Sequence, residues 1–161
     1  MTPKPELPGW LRPMSRAIIR LQELGIVFLS FHVLSIPGRR SGQVRRTVVS
    51  PFTVEGSRYV LSFGELDWVR NARAAGWGIL ARGRQKTRVA LVEVSPPDSR
   101  PIVREFPRLI PGGVRFFVGA GLVEGPGREE QFAAAAERLV LFRISEAADA
   151  GRTSDPPAAP S

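Results

Sequence analysis

The chain has 161 residues, 43% of them apolar, and 23 Lys and Arg against 15 Asp and Glu give a formal net charge of +8. That length supports one soluble domain with its own core. With no cysteine, disulfides, thiolate metal sites and cysteine nucleophiles are excluded, and the single histidine, His32, excludes a histidine-rich metal centre.

Residues 1–13 are Pro-rich and predict no regular structure. Met14, Ala17, Ile18, Leu21 and Leu24 then follow the spacing of one helical face, which predicts a helix over 14–24 ended by Gly25. The stripe reads as the closure of one end of the core, the alternative being peripheral contact with the inner face of the plasma membrane. Residues 24–36 carry no charge, but a membrane-spanning helix needs about 20 residues and no cleavage site follows. A helix end running into a buried strand, in a cytoplasmic protein, accounts for them, with His32 as a core histidine.

Strands are predicted over 32–36, 46–54 and 58–63, the last two joined by a hairpin turn at 55–58. Asp67 stands where an N-cap belongs and Gly76 where a helix ends, so a short helix lies between them. A second hairpin is read over 78–82 and 87–94. Pro96 and Pro97 break it and open a helix over 99–106. Residues 112–125, with Phe116 and Phe117 among glycines, read either as a substrate lid or as a packed loop. A helix over 129–136, a strand over 139–144 and a disordered Pro/Ala/Ser tail over 146–161 complete the chain. Five to six strands joined mostly by hairpins make a mainly β domain with short helices (α+β) over 14–145. Its sheet is largely antiparallel, closed or half-closed into a small barrel. The regular βαβ alternation of a doubly wound sheet is missing.

Only Lys4 and Lys86 are lysines, so the cationic surface consists of planar guanidinium forks suited to phosphate and carboxylate. Neither a basic recognition helix nor interleaved aromatic residues accompany the charge, and no nucleic-acid partner is expected. Four arginines fall in the stretch Pro37 to Arg46, at Arg39, Arg40, Arg45 and Arg46, with Gly38, Ser41, Gly42 and Gln43 between them. Forked cations plus main-chain N–H groups form a cradle for a polyanion; a solvated basic turn would use the same residues. Farther on, Trp68 and Asn71 are three apart on one helix face, an aromatic plate beside an amide.

Together, GRRSGQVRRT and DWVRNARAAGWG resemble the deazaflavin-dependent nitroreductase family of actinobacteria, whose members carry GR(K/R)(S/T)GxxR and, farther on, W-x-x-N-x-x-A. The resemblance runs from Gly38 to Val94, and Leu139 to Ile144 looks like the ending of one subgroup. It implies a split β-barrel of the FMN-binding-protein-like kind. It also implies use of reduced coenzyme F-420, in preference to FMN, to reduce a quinone, nitroaromatic or enone. The coenzyme's anionic tail would lie on Arg40, Ser41, Gln43 and Arg45, and its ring beside Trp68 and Asn71. Ser62 or main-chain N–H groups would orient the ring edge, while the hydride comes from the coenzyme and no protein nucleophile is needed. The chain departs from the family at Val48, where a proline is usual, at Phe63 and Gly64, where a cation often follows the strand, and at Ser50, where a substrate-pocket tyrosine stands. Ser50 is the one side chain left as a catalytic candidate. Some relatives bind lipids and have lost the coenzyme, so a non-catalytic lipid- or cofactor-binding barrel at the membrane surface is the second reading. A homodimer is an assembly consistent with either.

Overall fold

The computed structural model describes residues 9–24 and 31–146. The segment 1–8, residues 25–30 with the expected Gly25 stop, and the tail from 147 to 161 lie outside the described residues, whereas residue 146, expected in the tail, ends the last strand. The elements are α1 (Leu11–Glu23), β1 (His32–Pro37), β2 (Val44–Val49), β3 (Phe52–Val54), β4 (Ser57–Ser62), α2 (Asp67–Ala75), β5 (Trp77–Arg82) and β6 (Gln85–Val94). They are followed by α3 (Arg100–Val103), α4 (Phe106–Leu109), a 3-10 turn (Pro111–Gly113), α5 (Val114–Gly119), α6 (Glu129–Ala134) and β7 (Val140–Glu146).

All seven strands join one sheet in the order β2-β1-β5-β6-β7-β4-β3, and each neighbouring pair is antiparallel. The two edge strands, β2 and β3, are separated in the chain only by Ser50 and Pro51. In a flat sheet these edges would lie about 28 Å apart, at roughly 4.8 Å per strand spacing. Three virtual bonds of about 3.8 Å allow Val49 and Phe52 no more than about 11 Å. The sheet therefore curls until its edges approach without pairing, and the fold is a split β-barrel. The single strand expected over 46–54 is thus two. Proline has no N–H to give a ladder and forces an extended residue before it, so Pro51 marks the place where the chain leaves one edge for the other.

Alternation along the inner strands divides the apolar residues between two faces. Val140, Phe142 and Ile144 of β7 and Val60 of β4 enter a core with Leu34, Leu80 and Val89, closed by Val69 and Ala72 of α2. Leu141 of β7 and Tyr59 and Leu61 of β4 point the other way, into a cluster with Val103, Phe106, Phe117 and Phe132 from the helices after β6. Both faces of β7 are covered over Val140–Phe142, which explains the three consecutive apolar residues there. In the second cluster, ring centroids of Phe106, Phe117 and Phe132 lie 5.1–5.5 Å apart, a spacing that favours tilted and edge contacts. Phe117 anchors α5, so part of the stretch 112–125 is helical rather than loop. The helix expected over 99–106 is likewise two short helices. Asp67 sits in the first turn of α2 rather than at its cap, while Gly76 adopts the left-handed conformation that ends the helix, at φ 72°.

Helix α1 departs most from the periodicity. It begins at Leu11, because Pro13 falls in the first turn, where an N–H has no helical partner to lose. Leu24 is 67% exposed, whereas Gln22 is 2% exposed. Gln22 Nε2 donates to the Phe31 carbonyl at 2.6 Å, and its Oε1 accepts from Gly83 N at 3.1 Å. A polar side chain occupies the buried side because it satisfies two main-chain groups there. Arg46 of β2 pairs with Glu23, fixing the same end of α1 to the sheet edge. His32 is half-buried on β1 opposite Val49 rather than fully enclosed.

The β3–β4 hairpin turns through Glu55 at φ 49° and Gly56 at φ 81°, the left-handed pair that a two-residue primed turn requires. Glu55 is the one described non-glycine residue at positive φ, and asparagine tolerates that region far better. Glu55→Asn is expected to raise stability by about 0.5–1 kcal/mol in urea unfolding. Phe142→Ala, which empties the inner core, is expected to lower it by about 3–5 kcal/mol in the same assay.

Candidate functional site

The arginine-rich segment forms the loop between β1 and β2. Gly38 N donates to the Gln43 carbonyl at 2.8 Å, Gly42 N donates to the Gly38 carbonyl at 2.9 Å, and Gly42 takes φ 72°. Ser41 Oγ accepts from Gln43 N at 3.2 Å. The side chains of Arg40, Ser41, Gln43 and Arg45 are left exposed around this tight turn. Successive strand residues point to opposite faces, so Arg45 and Arg46 diverge, and only Arg46 reaches α1.

Asn71 fixes the loop from below. It is 5% exposed, and its Oδ1 accepts from Arg39 N at 3.1 Å and from Arg39 Nη1 at 2.9 Å. The amide expected beside a ring thus engages the arginine loop through its carbonyl. Helix α2 is held in turn by Arg73, which bonds both Glu65 oxygens at 3.2 and 2.7 Å and both Glu93 oxygens at 2.6 and 2.9 Å. Hydrogen bonding to Arg73 holds the Glu65 carboxyl below its ordinary value of 4.5, and the hydrogen bonds that Arg73 donates to Glu93 and Glu65 raise its guanidinium above its own ordinary value.

A cavity of about 770 Å³ opens between the first turns of α1, the end of β2, the end of β4 and the segment from α4 to α5. It lies at the seam of the barrel. Ser50, Ser62 and Trp68 line it, as do Val48 and Phe63, so both of these departures from the family pattern fall in its wall. Its floor is apolar and buried, with Leu61, Leu66, Phe106 and Phe117. Ser62 is 1% exposed and its hydroxyl donates to the Gly64 carbonyl at 3.0 Å, so its one proton is already engaged. Trp68 stands 5.8 Å from the Phe142 ring.

The structure therefore brings Ser50, Ser62 and Trp68 together in the cavity and gathers Arg40, Ser41 and Gln43 on the loop and Arg45 at the start of β2, with Asn71 beneath the loop. Trp68 and Asn71 are one turn of α2 apart, about 5 Å along the axis. The sequence reading missed Gln22, and it missed the arginines that α1 and α5 bring to the cavity, Arg12, Arg16 and Arg115. The i, i+4 spacing of Arg12 and Arg16 beside an apolar stripe was the available signal. Among the described residues, no group of three or more His, Asp or Glu is placed to hold a metal, and no helix is long and apolar enough to cross a membrane.

No family model and no curated protein matches the sequence. Solved structures do. One, described as a domain-swapped dimer, superposes with a TM-score of 0.53 at 13% identity over 84% of this chain and 97% of its own. The General Stress Protein 26 from Bacillus anthracis str. Sterne gives 0.51 at 13% identity over 84% and 88%. Atu2129 from Agrobacterium tumefaciens str. C58, of unknown function, gives 0.51 at 12% identity over 89% of this chain and 59% of its own, so the match spans under two thirds of that protein. Identities this low show a shared fold alone.

Asn71→Leu is expected to free the Arg39 amide, seen as at least about tenfold faster hydrogen exchange, while Asn71→Asp, which keeps an acceptor, retains most of the protection. A carboxyl depressed on folding contributes stability that is complete above its unfolded value and is lost as pH falls through its lower folded value. Removing that depression with Arg73→Met should flatten the loss of stability below pH 4.5, measured by urea unfolding on both sides of that pH.

Proposed function

We propose that this protein is an oxidoreductase that uses reduced coenzyme F-420 to reduce a small quinone, nitroaromatic or enone. The observation that carries the reading is the continuity of cavity and cradle across α2. Trp68 stands in the cavity wall, and one turn later Asn71 holds the loop that presents Arg40, Ser41, Gln43 and Arg45.

These residues fit such a coenzyme by their chemistry. Guanidinium forks and a hydroxyl suit the phosphate and carboxylates of its tail, and an apolar cavity of about 770 Å³ suits a flat heterocycle with an acceptor beside it. When bound, the coenzyme supplies the hydride. The chain's own work is to orient and to exclude water. Trp68 offers a planar wall, while Leu61, Leu66 and Phe117 keep the floor dry. Because the Ser62 proton rests on Gly64, orientation of a ring edge falls to Ser50 and to main-chain groups beside it. A non-catalytic carrier is the second reading, favoured by Val48 and Phe63, which add apolar wall where the family pattern has a proline and a cation. The domain-swapped neighbour supports testing for a homodimer by light scattering.

Titration of the protein into oxidised F-420, followed by fluorescence, should show binding at micromolar protein. Arg40→Ala with Arg45→Ala should weaken it about tenfold or more at low salt, and less at high salt. No binding, or stronger binding of FMN, would overturn the coenzyme assignment. The protein should also consume reduced coenzyme when menadione is present; binding without consumption would support the carrier instead.

A further inference from the structure

The cavity has a second cationic zone, separate from the loop that would take a coenzyme tail. Four guanidinium groups, those of Arg12, Arg16, Arg46 and Arg115, line it, and no Asp or Glu does. Arg46 is neutralised by Glu23. No carboxylate among the described residues pairs with the other three. Arg12 and Arg16 belong to the first turns of α1 and Arg115 to α5, and all three are exposed, whereas Leu61, Leu66, Phe106 and Phe117 are buried. The wall thus grades from an apolar floor to a cationic mouth. The mouth is also aromatic. The Arg115 guanidinium lies 5.1 Å over the Phe116 ring, which stands 5.5 Å from Trp10.

A neutral apolar molecule would leave this charge unanswered. The coenzyme tail is already matched by Arg40 and Arg45 on the hairpin loop, outside the cavity lining. We infer that the cavity takes an amphipathic anion, an apolar body on the floor with one carboxylate or phosphate group at Arg12, Arg16 and Arg115. The inference rests on the proposed reductase only in naming this molecule as the acceptor; as a binding site it stands on the cavity wall alone. Guanidinium groups bind both oxyanions through paired N–H donors.

The test uses the full chain without coenzyme, with decanoate, decyl phosphate and decanol as probes at concentrations below micelle formation. Tryptophan emission gives the readout, since Trp68 lines the cavity and Trp10 contacts Phe116. Decanoate or decyl phosphate should bind about tenfold or more tightly than decanol at low salt, and added salt should narrow the gap. The tighter of the two anions identifies the headgroup. The variant Arg12→Gln/Arg16→Gln/Arg115→Gln should bring the anions to within about twofold of decanol, while the corresponding lysine variant, which keeps the charge but not the paired donors, should restore part of the preference. The inference is overturned if decanol binds as tightly as the anions, if none of the three binds, or if the glutamine variant keeps the full preference. Anion binding in a protein that fails to bind F-420 would support the cavity assignment and remove the reductase. Coenzyme binding without anion binding would do the reverse.

Discussion

The fold depends on a length constraint. Two residues, Ser50 and Pro51, join the two outermost strands of a seven-stranded sheet. No flat arrangement satisfies so short a link, so the sheet must bend around until its edges approach, and the seam they leave is where the cavity lies. Ser50 is at once part of that link and part of the cavity wall. Position in the cavity wall and closure of the barrel are therefore the same fact about this segment.

Curling also decides how the core is divided. A bent sheet has an inner face that it can nearly fill by itself, and a convex face that needs outside cover. Val60 and Phe142 fill the first with help from α2, while Leu61 and Leu141 meet the aromatic layer of Phe106, Phe117 and Phe132. Phe117 and Phe106 also form cavity floor, so the covering layer and the binding surface share side chains. Packing there confers shape on the cavity as well as stability.

Much of this was legible in the sequence. Hairpin turns and the Gly76 stop are local signals, and local signals report local geometry. Less legible was whatever depends on distant partners. Gln22 is buried because Phe31 and Gly83 present main-chain groups to it, and hydrophobic spacing cannot foresee a polar residue recruited for that purpose. Asn71 was found by its place beside Trp68, but its carbonyl serves Arg39, some thirty residues earlier in the chain. The cationic loop was plain from composition, whereas the charge at the cavity mouth was not, since it is assembled from two helices far apart in sequence.

The two strands that border the seam have one more consequence. Open sheets present rows of unused N–H and C=O groups, and such rows are templates for uncontrolled growth from one molecule to the next. Here β3 is only three residues long, and β2 carries Arg45 and Arg46 along its exposed half. A short border and a charged one make growth by strand addition unfavourable at both ends of the sheet.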